Sequence, residues 1–202
     1  MISHEHRCIF VHQRRCAGTS ICCAMGVDWS YDNADWHFMD SGPCSYDGEV
    51  ADQEYPLYFR FSIVRNPYDR FISGWTFCES HGTPHRSILE VLRDLPRPPT
   101  DDDDPRGQVV RDWVHITRPQ HEILLLPDGR LGVDYVMRYE NLVADFAKVC
   151  NLMEIPQIPL PETHVNKESR DHYRTYFDTE PEAKKLLEDH FRRDLELWNY
   201  TY

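Results

Sequence analysis

No stretch of these 202 residues approaches the roughly 18 consecutive apolar side chains of a membrane span. The opening Met1-Ile-Ser-His-Glu-His-Arg7 leads into a strand too short and too poorly flanked for a secretory signal. Both absences predict a chain without a membrane anchor and a cytoplasmic location. A cysteine framework is missing as well: there are seven cysteines, an odd number, and Cys22 and Cys23 are adjacent. Cys8, Cys16, Cys22 and Cys23 fall close together but without C-x-x-C spacing, which argues against a disulfide scaffold or a zinc site. Buried reduced thiols are their expected role, and no metal is expected. The third absence is a basic excess. A net charge of −12 argues against a nucleic-acid or anionic-membrane partner. No internal repeat divides the chain, and its 41% hydrophobic and 28% charged residues suit one domain over 1–202 with a full core.

What is present is concentrated in two places. Phe61-Ser-Ile-Val-Arg65-Asn-Pro-Tyr-Asp-Arg70-Phe-Ile-Ser73 reads as a buried strand that stops and turns into a helix. Asn66 suits the cap of that helix, and Pro67 suits its first turn, where no N–H partner is needed. Arg65 stands at the strand's carboxyl end beside a helix start that favours anions. Ser73 follows Asn66 by about two helical turns, so its hydroxyl can face the same way. Arginine, helix start and hydroxyl together describe a receptor for phosphate.

Nearer the N-terminus, Cys8-Ile-Phe-Val-His12 is a short apolar run of strand type, followed by Gln13-Arg14-Arg15-Cys16-Ala17-Gly18-Thr19-Ser20. The small residues Ala17, Gly18, Thr19 and Ser20 allow backbone N–H groups to approach a ligand closely, as phosphate loops require. Arg14 and Arg15 add charge at the loop mouth. Two strand–loop–helix anion sites predict a ligand with phosphate or sulfate at two separated ends.

Hydrophobic patterning predicts strands over 8–12 and 58–64, each followed by a helix, over 18–26 and 67–79, with a loop-rich segment over 27–57. A helix is expected over 87–93, and a mobile proline-rich, acidic loop over 96–105. Residues 122–126 and 133–137 read as strands around a turn at 127–130, followed by a helix over 140–153. A long helix over 180–198 presents Ala183, Leu186, Leu187, Phe191, Leu195 and Trp198 on one face. Alternating strands and helices make this an α/β fold with a mostly parallel central sheet and flanking helices.

At this point the chain resembles the sulfotransferases that use 3′-phosphoadenosine-5′-phosphosulfate, and most of all their carbohydrate-sulfotransferase branch. The first family motif, His-Ile-Pro-Lys-Thr-Ala-Gly-Thr-Ser, is similar to His12-Gln-Arg-Arg15-Cys-Ala17-Gly18-Thr19-Ser20. The second, Val-Arg-Asn-Pro-x-Asp-Arg-x-x-Ser, matches Val64 through Ser73 at every fixed position. Met137-Arg-Tyr-Glu-Asn-Leu142 and Asn166-Lys-Glu-Ser-Arg170 are weaker echoes in the expected order.

The resemblance implies a three-layer P-loop-like fold, with the phosphosulfate donor as co-substrate and a hydroxyl or amine of a small molecule or carbohydrate as acceptor. It assigns Arg14, Arg15, Ala17, Gly18, Thr19 and Ser20 to the 5′ end of the donor, and Arg65 and Ser73 to its 3′-phosphate. Lys167 and Arg170 fall in the late segment that covers the nucleotide. Arg15 stands where the family has a lysine; it keeps the charge but is less compact and cannot give up a proton. His37 lies between the two motifs, where the family commonly has its base, and Asp35 could orient it; the alternative is a histidine packed beside Trp36. His12 matches a position inside the first motif and is expected to be structural. Arg138 and Glu140 are expected to pin a strand–helix junction, and the roles of Arg118 and Gln120 stay open. Trp36, Trp75 and Trp113 could stack on adenine or a sugar, although tryptophans are more often core. The acidic chain favours a neutral or cationic acceptor. Two rival readings are a small-molecule kinase, whose G-x-x-x-x-G-K-[ST] signature is absent, and a nucleotide-binding protein without turnover.

Overall fold

The structure is a computed structural model that describes residues 2–26, 57–80, 86–95, 117–161 and 170–202. In chain order the elements are β1 (Ile2–Ser3), β2 (Cys8–Val11), α1 (Gly18–Ala24), β3 (Phe59–Val64), α2 (Pro67–Ser80) and α3 (Ile88–Arg93). There follow α4 (His121–Leu124), β4 (Tyr135–Arg138), a 3₁₀ turn at Tyr139–Asn141 and α5 (Leu142–Leu152). The chain closes with α6 (Tyr173–Phe177), α7 (Pro181–His190) and α8 (Arg192–Leu197). The α/β expectation holds. Two compact units emerge, one from residues 1–65 and 122–165, the other from 66–121 and 166–202.

The first unit holds the sheet, in the order β1-β2-β3-β4. β1 pairs antiparallel with β2, whereas β2, β3 and β4 run parallel, with Val11 opposite Ser62 and Val64 opposite Arg138. Parallel strands read as continuous apolar runs because both faces must be buried. Here Cys8, Phe10, Phe61, Ile63 and Met137 line one face and pack with Ile21 and Met25 of the α1 segment and with Phe146, Val149 and Cys150 of α5. Ile9, Val11, Ser62 and Val64, on the other face, are buried as well. The one hydroxyl among them, on Ser62, donates to the Val11 carbonyl at 2.6 Å and so carries no desolvation penalty. The junction of β4 and α5 is pinned by Asp145, which accepts from the Arg138 N–H at 2.7 Å and from Asn141 Nδ2 at 2.9 Å.

The second unit is helical. Asn66 Oδ1 accepts from the Tyr68 N–H at 3.0 Å, capping α2, and Ser87 with Glu90 forms a reciprocal capping box on α3. Its core joins Tyr68, Phe71 and Ile72 of α2 to Val91 and Leu92 of α3, Phe177 of α6, and Ala183 and Leu187 of α7. Arg70 is buried among them, with Nη1 and Nη2 both donating to the Arg118 carbonyl, at 3.0 and 2.5 Å.

Two expectations are corrected. Residues 122–126 do not form a strand: α4 occupies His121–Leu124, and only Leu125 bridges back to Leu131. The reason is Asp194, a fully buried carboxylate that accepts from the N–H groups of Gln120 (2.7 Å) and His121 (2.8 Å) and so caps α4 from outside. The long helix over 180–198 is two helices, α7 and α8, separated at Phe191 with φ −97° and ψ 16°. Ala183, Leu187, Phe191, Asp194 and Trp198 are nevertheless all buried, so the inward stripe keeps its phase across the break.

Candidate functional site

The three parallel strands deliver their carboxyl ends to one edge of the sheet, the usual place for ligands in α/β folds. From β2 the chain enters the loop His12 to Ala17. Arg15 and Ala17 both have left-handed φ, 64° and 59°. Without glycine this conformation costs on the order of 1–3 kcal/mol per residue and persists only where its surroundings enforce it. Left-handed residues alternating with right-handed ones turn successive N–H groups to one side, the nest in which anions sit. Cys16, between the two, is fully buried, belongs to the hydrophobic cluster under the sheet and donates Sγ–H to the Arg14 carbonyl at 3.5 Å. Its side chain thus anchors the loop, while Arg14 and Arg15, which precede it, are half-buried.

Gly18 opens α1 beneath the ring of His12. A Cβ at Gly18 would lie 1.8 Å from His12 Nε2 and 2.0 Å from Cδ2. The ring also stacks on Phe10, with centroids 5.7 Å apart and planes at 25°. Burial, reinforced by the positive charge of Arg14, pushes the imidazole down to about 3. His12 is therefore a neutral wedge between β2 and α1, which agrees with the structural role read from the motif.

Arg65 follows β3 and is 4% exposed. Its Nη1 donates to the Arg15 carbonyl at 2.7 Å, and its guanidinium lies over the Tyr139 ring, 3.9 Å from the centroid. Tyr139 directly follows β4. Three strand ends are thus tied together through one guanidinium. The second motif predicted Arg65 as a phosphate reader; its grip on the first loop and its seat on Tyr139 were not predicted. An aromatic placed immediately after a parallel strand, on the edge that carries the motifs, was the available signal for Tyr139.

In the second unit, Ser73 is buried on α2 and Arg170 is paired with Asp69 at 2.7 Å. The backbone of Arg118 serves Arg70, and that of Gln120 serves Asp194, so both support this unit's own framework. Asp194 also meets His121 Nδ1 at 2.7 Å. Trp75 is half-buried, with its indole N–H on the Arg86 carbonyl at 2.8 Å. His37, Asp35, Trp36, Trp113, Asn166 and Lys167 lie outside the described residues, as do residues 96–105 and, but for Leu57, the segment over 27–57. Cys8, Cys16, Cys22, Cys78 and Cys150 are buried free thiols, and burial holds Cys8 up at about 12; Cys23 is exposed. Among the described residues no helix is long and apolar enough to cross a membrane.

The profile of the family described as the Sulfotransferase family matches residues 2–201. No curated protein and no solved structure matches the chain.

Proposed function

The chain belongs to the sulfotransferase family, and from that premise we propose that it transfers a sulfuryl group from 3′-phosphoadenosine-5′-phosphosulfate to a hydroxyl or amine of a small-molecule or carbohydrate acceptor. The observation that supports this reading best is the loop from His12 to Gly18. Left-handed residues at Arg15 and Ala17, and a Gly18 that His12 keeps free of any side chain, make a cradle suited to the 5′ end of the donor. When bound, the donor supplies a sulfuryl group whose sulfur–oxygen bond to the 5′-phosphate breaks as the bond to the acceptor forms.

The chain's own residues then have three tasks. The N–H groups of Ala17 and Gly18, with the hydroxyls of Thr19 and Ser20, hold the 5′ end. Arg14 and Arg15 balance the negative charge that develops on the departing phosphate oxygen. His37 accepts the proton of the acceptor. By motif, Arg65 and Ser73 are assigned to the 3′-phosphate, and Lys167 and Arg170 to the nucleotide. The net charge of −12 favours a neutral or cationic acceptor, and we place the reaction in the cytoplasm.

The test is thermal-shift titration with adenosine 3′,5′-diphosphate, 5′-AMP and ATP, followed by an acceptor screen with labelled donor in the presence of chelator. The diphosphate should stabilise the chain most, and turnover should survive the chelator. A preference for ATP together with loss of turnover in chelator would replace this reading with that of a kinase. Binding of the diphosphate without turnover on any acceptor would identify a nucleotide-binding protein that Arg15 has left without chemistry.

A further inference from the structure

We propose that Arg65 is the brace of the 5′ loop and that Tyr139 is the positioning residue that sets it, so that affinity for the 5′ end of the donor depends on the motif that reads its other end. The inference deepens the donor reading above and rests on it. Arg15, left-handed at φ 64°, holds a conformation that a non-glycine residue keeps only under constraint. The constraint is visible: its carbonyl accepts a charge-assisted hydrogen bond from Arg65 Nη1 at 2.7 Å. Arg65 is itself fixed, being 4% exposed and held over the Tyr139 ring 3.9 Å from the centroid.

A guanidinium is planar and its N–H groups are fixed in its plane, so holding it against a ring also restricts the directions in which it donates. Tyr139 therefore aims the donor that holds the loop. The guanidinium sits over the ring face, so the ring is the working part. The three residues follow three adjacent parallel strands, so the brace ties neighbouring strand ends together. A loop held in this way is ordered before the donor arrives, and the ordering cost is not charged to binding.

The experiment has two arms. In the first, amide hydrogen exchange is followed in the ligand-free chain. Tyr139→Leu and Arg65→Lys should speed exchange at residues 14–18 while leaving the amides of α7, in the other unit, at wild-type rates. In the second arm, binding of 5′-AMP, which lacks the 3′-phosphate, is measured by calorimetry. Both variants should weaken it by roughly 3- to 30-fold, the equivalent of one cation–π contact. Tyr139→Phe, which keeps the ring, should restore both readouts.

Unchanged loop exchange and unchanged 5′-AMP affinity, with only diphosphate binding reduced, would show that Arg65 reads the 3′-phosphate alone and would overturn the brace. Faster exchange throughout the chain would overturn it too, because Tyr139 would then be supporting the fold at large. Wild-type chain that bound no adenine nucleotide would sink the donor reading instead, and the exchange arm would decide the brace by itself.

Discussion

Gly18→Ala sets local propensity against packing. Gly18 is the first residue of α1 and has no positive φ, so alanine meets no backbone strain there. On propensity alone the substitution should stabilise the chain by up to about 1 kcal/mol. The added Cβ, however, would come within 1.8, 2.0 and 2.5 Å of three atoms of the His12 ring. Relief requires the ring to move by more than an ångström, and it rests on Phe10, which is fully buried in the core under the sheet. Overpacking of that kind costs about 1–3 kcal/mol, so packing wins and the variant should be less stable by roughly that amount. The assay is urea unfolding at neutral pH of Gly18→Ala, His12→Ala and the double variant. With the imidazole gone, alanine at 18 should become neutral or mildly stabilising, which gives a coupling of about 1–3 kcal/mol between the two sites. A single variant as stable as wild type, or a coupling near zero, would refute the wedge.

His12 also predicts an acid dependence. Its folded-state value of about 3 lies below the ordinary histidine value near 6.5, so below about pH 6.5 the unfolded chain binds more protons than the folded one. Its contribution is complete above pH 6.5 and is lost as pH falls toward 3, on the order of 3–5 kcal/mol in all. His12→Gln should therefore lose less stability than wild type between pH 7 and pH 4.5, and equal losses would remove the neutral imidazole from the argument. Asp194→Ala leaves the N–H groups of Gln120 and His121 without their acceptor and should cost about 3–5 kcal/mol in urea unfolding, with Asp194→Asn intermediate; a cost below about 1 kcal/mol would mean that α4 finds another cap. Arg15→Ala should lower kcat far more than it weakens diphosphate binding, because the charge it balances develops in the transition state, and Arg15→Lys should retain or raise turnover. His37→Ala should lower kcat about 10²–10⁴-fold and abolish the acidic limb of the pH–rate profile; a variant that kept both would move the base to a carboxylate such as Asp35.

Where the chain forms structure from its neighbours in sequence, the sequence was readable. The strand, turn and helix from Phe59 to Ser80 and the cap at Asn66 depend on adjacent residues, and they appear where the pattern puts them. α4 was misread because Ile123-Leu-Leu-Leu126 is a short apolar run that suits strand or helix equally. What decides it is Asp194, far along the chain, whose carboxylate no local pattern could assign to residues 120 and 121. The candidate site divides in the same way. Its two motifs were legible as separate strand–loop–helix turns, but the bond from Arg65 to the Arg15 carbonyl exists only once β2 and β3 lie side by side.

The assignment of residues to the two units has a consequence for how this protein can be taken apart. Each unit is assembled from two separate stretches, and the chain passes from one to the other after residues 65, 121 and 165. The units are interleaved along the chain, so no single cut separates one from the other. A fragment ending at residue 121 would carry β2 and β3 without β4, and α2 and α3 without α7. Each half would expose an unpaired strand edge or a bare apolar helix face, the features that make isolated fragments aggregate. Co-expression of residues 1–121 with 122–202 is the complementary design, because each piece then supplies what the other lacks in both units at once. Each unit of the reassembled pair would draw on both pieces, which suits the chain as a split reporter in a way that a protein with consecutive domains would not be.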